Sequence, residues 1–365
     1  MRKVLIFYPY ISTYGGIEET IILLAKNIRK KKLQPVILCF SNQLKIQKYF
    51  KYLKVIELGD ANYLKKIINL KIFLKDYEKN YKGHALFYSY KSAFFAALIN
   101  FKNYILHLDD PLSLLKKEEP LNKINFFSNL RKIFVHLINK KGIENAVVRL
   151  TTTNRNAREF LKDYNQKFTV AYHGVSLKNI YQNKKRENTL NLVSISRLEK
   201  PKNLEWAIYS FSKLLRVKKL LKYFKKINLF IIGDGSDKKR LIDFANKIKV
   251  NNNVFFTGFV SYKKKQEILS QTNFFLVPAV QGYGLPVLEG LVRGIPVVIN
   301  KETRVSEIFK NNPWVRISKN NKEDFSKNVI SHIKNLHLKL PNKKFLTNLP
   351  SQLTWSNLIF KICKW

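Results

Sequence analysis

The feature that most constrains this chain is its alternation of short, wholly apolar runs with longer helical patterns. KVLIFYPY reads as a strand; after a loop holding Gly15 and Gly16, IEETIILLAKNIRKKK reads as a helix. QPVILCF and ALFYSY then read as strands, KSAFFAALIN as a helix and YILHL as a strand. A second series runs LNLVSIS, NLFIIG, NVFFTG, FFLVP and PVVIN, each followed by a helical or loop segment. Strands that are apolar on both faces belong in parallel sheets covered by helices on both sides. Residues 176–190 are polar and unpatterned and read as a linker. The spacing predicts an α/β chain of two nearly equal domains joined near residue 180.

Composition narrows what such a chain does. At 365 residues it is long enough to bury two cores, and 45% hydrophobic content is that of a globular protein. Two cysteines, Cys39 and Cys363, give neither a disulfide framework nor metal spacing, and a reducing cytoplasm is expected. The N-terminus lacks an uncharged signal-peptide core, and no run approaches the ~18 apolar residues of a membrane span. The expectation is a protein neither exported nor integral to a membrane. Lys+Arg exceed Asp+Glu by 67 to 25, a formal charge of +42. The excess is spread over both halves and is mostly lysine, beside abundant Asn, Ile, Phe and Tyr. That palette fits an AT-rich genome; it also gives a field favouring phosphate-bearing ligands and anionic lipid. No RNP-type aromatic pattern, zinc finger or basic tail supports nucleic acid, and no Gly-x-Gly-x-x-Gly supports a dinucleotide dehydrogenase.

Four strand-end loops of the second half carry chemistry, and open α/β sheets bind ligands at such ends. Arg197 and Lys202 follow LNLVSIS and could clamp a diphosphate, or be a solvated charged loop. Gly233-Asp234-Gly235 follows INLFII, a weak motif that lets backbone approach a ligand. In Gly258-Phe259-Val260, free backbone groups could read a base edge. The fourth is Gln281-Gly282-Tyr283-Gly284-Leu285-Pro286, where glycines and a helix N-terminus favour an anion. Glu289, expected in that helix's first turn, could accept from ribose hydroxyls or merely complement the dipole.

Taken together, Arg197…Lys202, Gly233-Asp234-Gly235, TGFVS and QGYGLPVLEGLVRGIPVV resemble the donor site of glycosyltransferase family 4, also called glycosyl transferases group 1. The resemblance is most specific over residues 193–299. It implies a GT-B fold with two facing Rossmann-like domains: residues 1–178 on the acceptor side, residues 179–350 on the donor side, and 351–365 as a helix crossing back. It further implies a retaining transferase using a nucleotide-diphospho sugar. Arg197, Lys202, Gly284 and Leu285 would hold the diphosphate, with Gly15 and Gly16 closing over it. Glu289 would bind the ribose, and Gly233, Gly258, Phe259 and Val260 would line the base. His107 in ILHLDDP would contact the sugar or acceptor; a strand-end histidine with a structural hydrogen bond is the other reading. The family's glutamate seven intervening residues before Glu289 is here Gln281, an amide that can bind sugar hydroxyls but cannot be a carboxylate nucleophile. His107, Gln281 and Glu289 are the catalytic candidates.

No cofactor is expected, and no metal, because Asp109-Asp110 and Asp234-x-x-Asp237 lack Asp-x-Asp spacing. The expected partners are a nucleotide sugar and a glycan or lipid-linked saccharide acceptor. Residues 121–141 place Phe127, Leu130, Phe134, Leu137 and Ile138 on one helical face, with Lys123, Arg131, Lys132, Lys140 and Lys141 elsewhere. That segment is either a core helix or a surface for anionic lipid. The expected location is the cytoplasm, peripheral on the inner membrane face if the lipid reading holds. A non-catalytic nucleotide-sugar binder and, on charge alone, a nucleic-acid binder are the alternatives.

Overall fold

The apolar runs form strands β1 (Lys3–Phe7), β2 (Tyr10–Ile11), β3 (Gln34–Cys39), β4 (Ser41–Asn42), β5 (Lys54–Glu57), β6 (Ala85–Tyr88), β7 (Tyr104–His107), β8 (Val148–Thr151) and β9 (Thr169–Val170). The second series gives β10 (Thr189–Ile195), β11 (Lys226–Ile232), β12 (Val254–Gly258), β13 (Phe274–Val277), β14 (Val297–Asn300) and β15 (Val315–Ser318). The structure, a computed structural model, describes residues 1–12, 15–48, 50, 52–60, 62–115, 126–176, 188–336 and 339–365. The chain divides into two units, Met1–Gly174 with Ser351–Trp365, and Val175–Pro350.

In the first unit the sheet order is β5-β3-β1-β6-β7-β8-β9, with every pair parallel. Alternate side chains of β1 go to two cores, as a pleated strand covered on both faces requires. Val4 and Ile6 pack with Ile22, Leu24 and Ile28 of the helix Gly16–Lys30, and with Trp355 and Ile359 of the C-terminal helix Gln352–Cys363. Leu5 and Phe7 join Val36, Leu38 and Phe87 on the other face. The C-terminal helix is further tied to this unit by Asn27 Nδ2 donating to Ser356 Oγ (2.9 Å) and Trp365 Nε1 donating to His84 O (2.8 Å).

The second unit has the order β12-β11-β10-β13-β14-β15, again all parallel. Leu190, Leu192, Leu229, Ile231 and Leu276 face Ile208, Phe211, Leu241, Val329 and Ile333. In both sheets the order reverses beside the first strand, between β1 and β6 and between β10 and β13. Loops leaving such a point diverge to opposite faces and open a crevice at the strands' C-terminal ends.

Strands β5, β8, β9 and β15 were not legible as apolar runs. Three lie at sheet edges, where one buried face suffices, and β8 carries Arg149, whose Nε and Nη2 donate to Ile143 O (2.6 Å) and Glu144 O (2.7 Å). The unit boundary falls at Gly174/Val175, and β10 already begins at Thr189, inside the stretch expected as linker; residues 177–187 of that stretch lie outside the described residues.

In the second unit His332, on the helix Lys322–Leu336, is buried against Phe274 with Nε2 3.4 Å from Trp314 O. Burial pushes its imidazole down from 6.5 to about 4. The unfolded chain therefore binds more protons between these values, and stability present above pH 6.5 is lost as pH falls toward 4, by about 3 kcal/mol. Unfolding midpoints of wild type and His332→Gln, followed from pH 7 to 4, should diverge, with the variant showing the shallower acid decline. Parallel curves would remove the assignment.

Candidate functional site

The second unit gathers its candidate residues on one sheet edge through backbone contacts between the strand-end loops. The loops after β10 and β11 are joined by Leu198 N donating to Asp234 O (2.9 Å), and β11 and β12 end in a bridge, Gly233 N to Gly258 O (3.0 Å). The loops after β10 and β13, the two strands at the order reversal, are joined by Val280 N donating to Pro201 O (2.9 Å) and Asn203 Nδ2 to Pro278 O (3.2 Å). Gly233 is required in this arrangement: its φ is +133°, and a Cβ there would lie 1.9 Å from Ser196 O.

Arg197 stands half exposed at the rim, paired with Glu199 at 2.8 Å. Lys202 closes the 3₁₀ turn Lys200–Lys202 and is only 9% exposed, which is not the solvated end of a charged surface loop. Phe259, by contrast, is 77% exposed beyond the end of β12, with Val260 half-buried. Asp234 pairs with Lys238 (2.9 Å) and Asp237 with Arg240 (2.6 Å), so cations already meet both carboxylates of that segment.

Gly284 caps the helix Leu285–Val292 with φ +112° and no side-chain hydrogen bond at the cap. Pro286 lies in the first turn and brings no N–H. The positive end of this helix is thus bare backbone. Gln281 is held through its main chain, its N donating to Glu302 O (3.1 Å) and its O accepting from Arg304 N (3.2 Å). Its Nε2 is buried and finds no hydrogen-bond partner among the described residues. A Cβ on Gly284 would come within 2.9 Å of that nitrogen, so the amide lies against the helix cap.

Glu289 is the fifth residue of this helix, not in its first turn, which removes the simple dipole-complement reading. Its Oε2 lies 2.7 Å from Lys265 Nζ, an ion pair aligned outside hydrogen-bond geometry. Its carbonyl accepts from Arg293 Nη1 (2.6 Å), and that guanidinium also donates to Gln266 Oε1 (2.6 Å). Lysine 265 carries no motif, and only the tertiary fold singles it out.

The remaining candidates belong to the first unit. Gly15 and Gly16 open the helix Gly16–Lys30 beyond β1. The Gly15 N–H already donates to Glu18 Oε2 (3.0 Å), and Tyr8 OH donates to Glu18 Oε1 (2.9 Å). A diphosphate at this helix end would have to displace Glu18, a contact the sequence reading missed. His107 ends β7 fully buried, with Nδ1 3.0 Å from Asp109 Oδ1. His173, absent from the sequence reading, reaches the same oxygen at 3.1 Å.

The amphipathic segment lies partly in the helix Phe126–Asn145; residues 116–125 and the side chains of Phe127 and Leu130 fall outside what is described. Where it is described, Phe134 (60% exposed) and Leu137 (57%) do not enter a core, and Ile133 joins them on the surface beside Arg131 and Lys132. Ile138 is half-buried, and only Gly142 and Ile143 are buried near the helix end. Among the described residues no helix is long and apolar enough to cross a membrane.

Residues 176–343 match the family described as Glycosyl transferases group 1. An uncharacterised glycosyltransferase of Methanocaldococcus jannaschii is 24% identical over 256 residues, 67% of this chain and 63% of that protein. The O-antigen biosynthesis glycosyltransferase WclY of Escherichia coli is 28% identical over 153 residues, 39% of this chain and 40% of that one. The matched stretches therefore span less than two thirds of these relatives. Anabaena HepE, solved in complex with UDP-glucose, superposes with a TM-score of 0.75 at 16% identity, covering 99% of each chain. The fold is GT-B, with two Rossmann-like domains. The match to glycosyl transferases group 1 lies within the second unit, just under half of the chain.

Gly284 and Gly290 make opposite predictions. At Gly284 a Cβ would meet Thr303 Cγ2 at 2.6 Å on a left-handed backbone, so Gly284→Ala should cost about 1–3 kcal/mol. Gly290 is inside the helix, with only ordinary contacts of 3.5 Å to Phe275 and Val297, so Gly290→Ala should be neutral or stabilising by up to about 1 kcal/mol. Urea unfolding of the two variants distinguishes them; equal effects would contradict the local geometry.

Proposed function

We propose that this chain is a retaining, metal-independent hexosyltransferase. It moves a sugar from a UDP- or GDP-sugar to a glycan or lipid-linked saccharide in surface polysaccharide synthesis. The observation that carries the reading is the bare helix cap at Gly284, set at the order reversal of the second sheet, with Gln281 Nε2, unpartnered among the described residues, beside it. The diphosphate would sit at that cap, with Arg197 and Lys202 supplying positive charge. Glu289, held by Lys265, would accept from the ribose hydroxyls, and the backbone at Gly233, Gly258, Phe259 and Val260 would line the base. The names of the relatives support the substrate class: WclY acts in O-antigen biosynthesis, and HepE binds UDP-glucose.

Gln281 constrains the chemistry. An amide cannot attack the anomeric carbon, so double displacement through this position has no nucleophile. A front-face route needs none. The bond from C1 to the leaving phosphate oxygen breaks as the bond to the acceptor oxygen forms on the same face, and the acceptor proton passes to the phosphate. The protein contributes positioning and fixed charge. The charge to be neutralised falls on Arg197, Lys202 and the helix cap; Asp109 is bound by histidines, and Asp234 and Asp237 by cations, which supports turnover without a divalent metal. The exposed Ile133, Phe134 and Leu137 beside basic residues suit an anionic bilayer surface close to a lipid-linked acceptor.

Thermal unfolding with UDP, GDP and their sugars, without added metal, tests the donor site. A ligand at 100 times its Kd adds about 2.7 kcal/mol, and the stabilisation should vanish in Arg197→Ala and Glu289→Ala. No shift with any nucleotide would remove the reading, whereas binding without turnover would mark a non-catalytic binder. Turnover should survive chelator; activity lost in chelator and restored by Mn²⁺ would end the claim of metal independence. Salt-sensitive sedimentation with anionic liposomes, weakened in Phe134→Ser/Leu137→Ser, is expected of the surface helix, and indifference to the liposomes would remove that part.

A further inference from the structure

Four aromatic rings meet at the C-terminal edge of the first sheet. His107 stacks on Tyr88 (centroids 4.9 Å apart, 25°) and on His173 (4.9 Å, 28°), while Trp355 of the C-terminal helix meets His107 edge-on at 6.2 Å. Between the histidines, Asp109 Oδ1 lies 3.0 Å from His107 Nδ1 and 3.1 Å from His173 Nε2. Burial alone would raise the Asp109 carboxyl; the His173 and His107 rings beside it reverse this and hold it well below the usual carboxylate range. It is therefore an anion that only accepts; His173 Nε2 donates to it, and its charge favours a hydrogen on the facing His107 Nδ1.

Burial pushes the His107 imidazole down, so the ring is neutral and has one N–H to place. Neither ring nitrogen has a partner in hydrogen-bond geometry among the described residues, but the Asp109 anion 3.0 Å from Nδ1 favours the hydrogen on that side. Nε2 is then a lone pair, and it finds no hydrogen-bond partner among the described residues. A buried acceptor left unpaired is costly, and its retention points to a donor supplied from outside the protein. The same three side chains bring ligand atoms within 4.8 Å of one another, as a metal site would. The Asp109 oxygen, however, is already hydrogen-bonded by His173 Nε2 (3.1 Å), and His107 Nδ1 approaches it at 3.0 Å outside hydrogen-bond geometry.

We propose that Asp109 and His173 are positioning residues that lock His107 as its Nδ1–H tautomer, so that Nε2 accepts a hydrogen bond from a hydroxyl of the bound saccharide. The identity of that donor rests on the sugar-transfer reading; the tautomer does not. Opening of the ring cluster admits the hydroxyl, and no proton need leave His107 for it to hold the sugar. The signal available in the sequence was slight: an Asp two residues after a strand-end histidine, and a second histidine more than sixty residues on.

Long-range ¹H–¹⁵N spectra of the full ¹⁵N-labelled chain, with His107→Gln identifying the signals, read the tautomer directly. Wild type should carry the hydrogen on Nδ1. The isosteric Asp109→Asn should move population toward Nε2–H, and Asp109→Ala should do so more completely. With the nucleotide sugar that stabilises the wild type most, kcat should fall about tenfold or more in both variants, with donor KM within about twofold. An Nε2–H ring in wild type, or an altered tautomer with kcat unchanged, would overturn the proposal. So would stoichiometric Zn²⁺ uptake that shifts both histidines, which would make the cluster a metal site. If the wild type turns over no nucleotide sugar, the transfer reading fails separately, and the tautomer result alone decides the role of Asp109.

Discussion

The pairing of β13 beside β10, fixed by Leu192 opposite Phe274 and Val193 opposite Phe275, is the constraint on which the candidate site depends. Without it the chain would continue its sheet in one direction. With it, the loops carrying Arg197 and Lys202 on one side and Gln281 and Gly284 on the other leave the sheet at the same edge. The hydrogen bond from Val280 to Pro201 then ties them into one surface. The pairing is strong because β10 and β13 are buried on both faces, so their register is set by packing on each side. The site therefore needs no dedicated scaffold of its own.

The polar groups left over by this packing say where a ligand belongs. Most buried polar atoms in a folded protein are paired. Here the exceptions include Gln281 Nε2 at the helix cap of the second sheet and His107 Nε2 at the edge of the first, one a donor and the other an acceptor. Each has a neighbour that biases its orientation: the Glu302–Arg304 backbone for Gln281, the Asp109 charge 3.0 Å from Nδ1 for His107. Glu289 differs, because Lys265 already meets its charge and a ribose would share that ion pair. Gly15 differs again, with Glu18 standing where an anion was expected.

Much of this was legible in the sequence. Strands apolar on both faces announce parallel sheets, and glycines after them announce strand-end loops, so the α/β architecture followed from periodicity alone. Arg197, Lys202, Gln281, Gly284 and Glu289 were legible as a set because their order and spacing matched a known family; singly, each had an ordinary structural explanation. What was not legible is nonlocal. Lys265 is one of many lysines, and nothing near it marks it as the partner of Glu289. Glu18 reads as a first-turn acid like any other, and His173 reaches Asp109 only because β7 and the residues after β9 end at the same sheet edge. Edge strands β5, β9 and β15 escaped because one exposed face lets polar residues interrupt the apolar run. The turn position of Glu289 was misplaced because Pro286 marks a helix start only to within a residue or two.

The account's central claim is that sugar leaves the diphosphate and joins the acceptor on one face, at the Gly284 cap, with no carboxylate nucleophile at position 281. The most direct test follows the anomeric carbon, using the stabilising nucleotide sugar labelled with ¹³C at C1 and NMR detection of the first product formed, with water as acceptor if no saccharide is turned over. The account predicts that the product keeps the donor's configuration and that no covalent glycosyl–protein adduct accumulates. An inverted product, or a sugar trapped on a side chain of the protein, would contradict it.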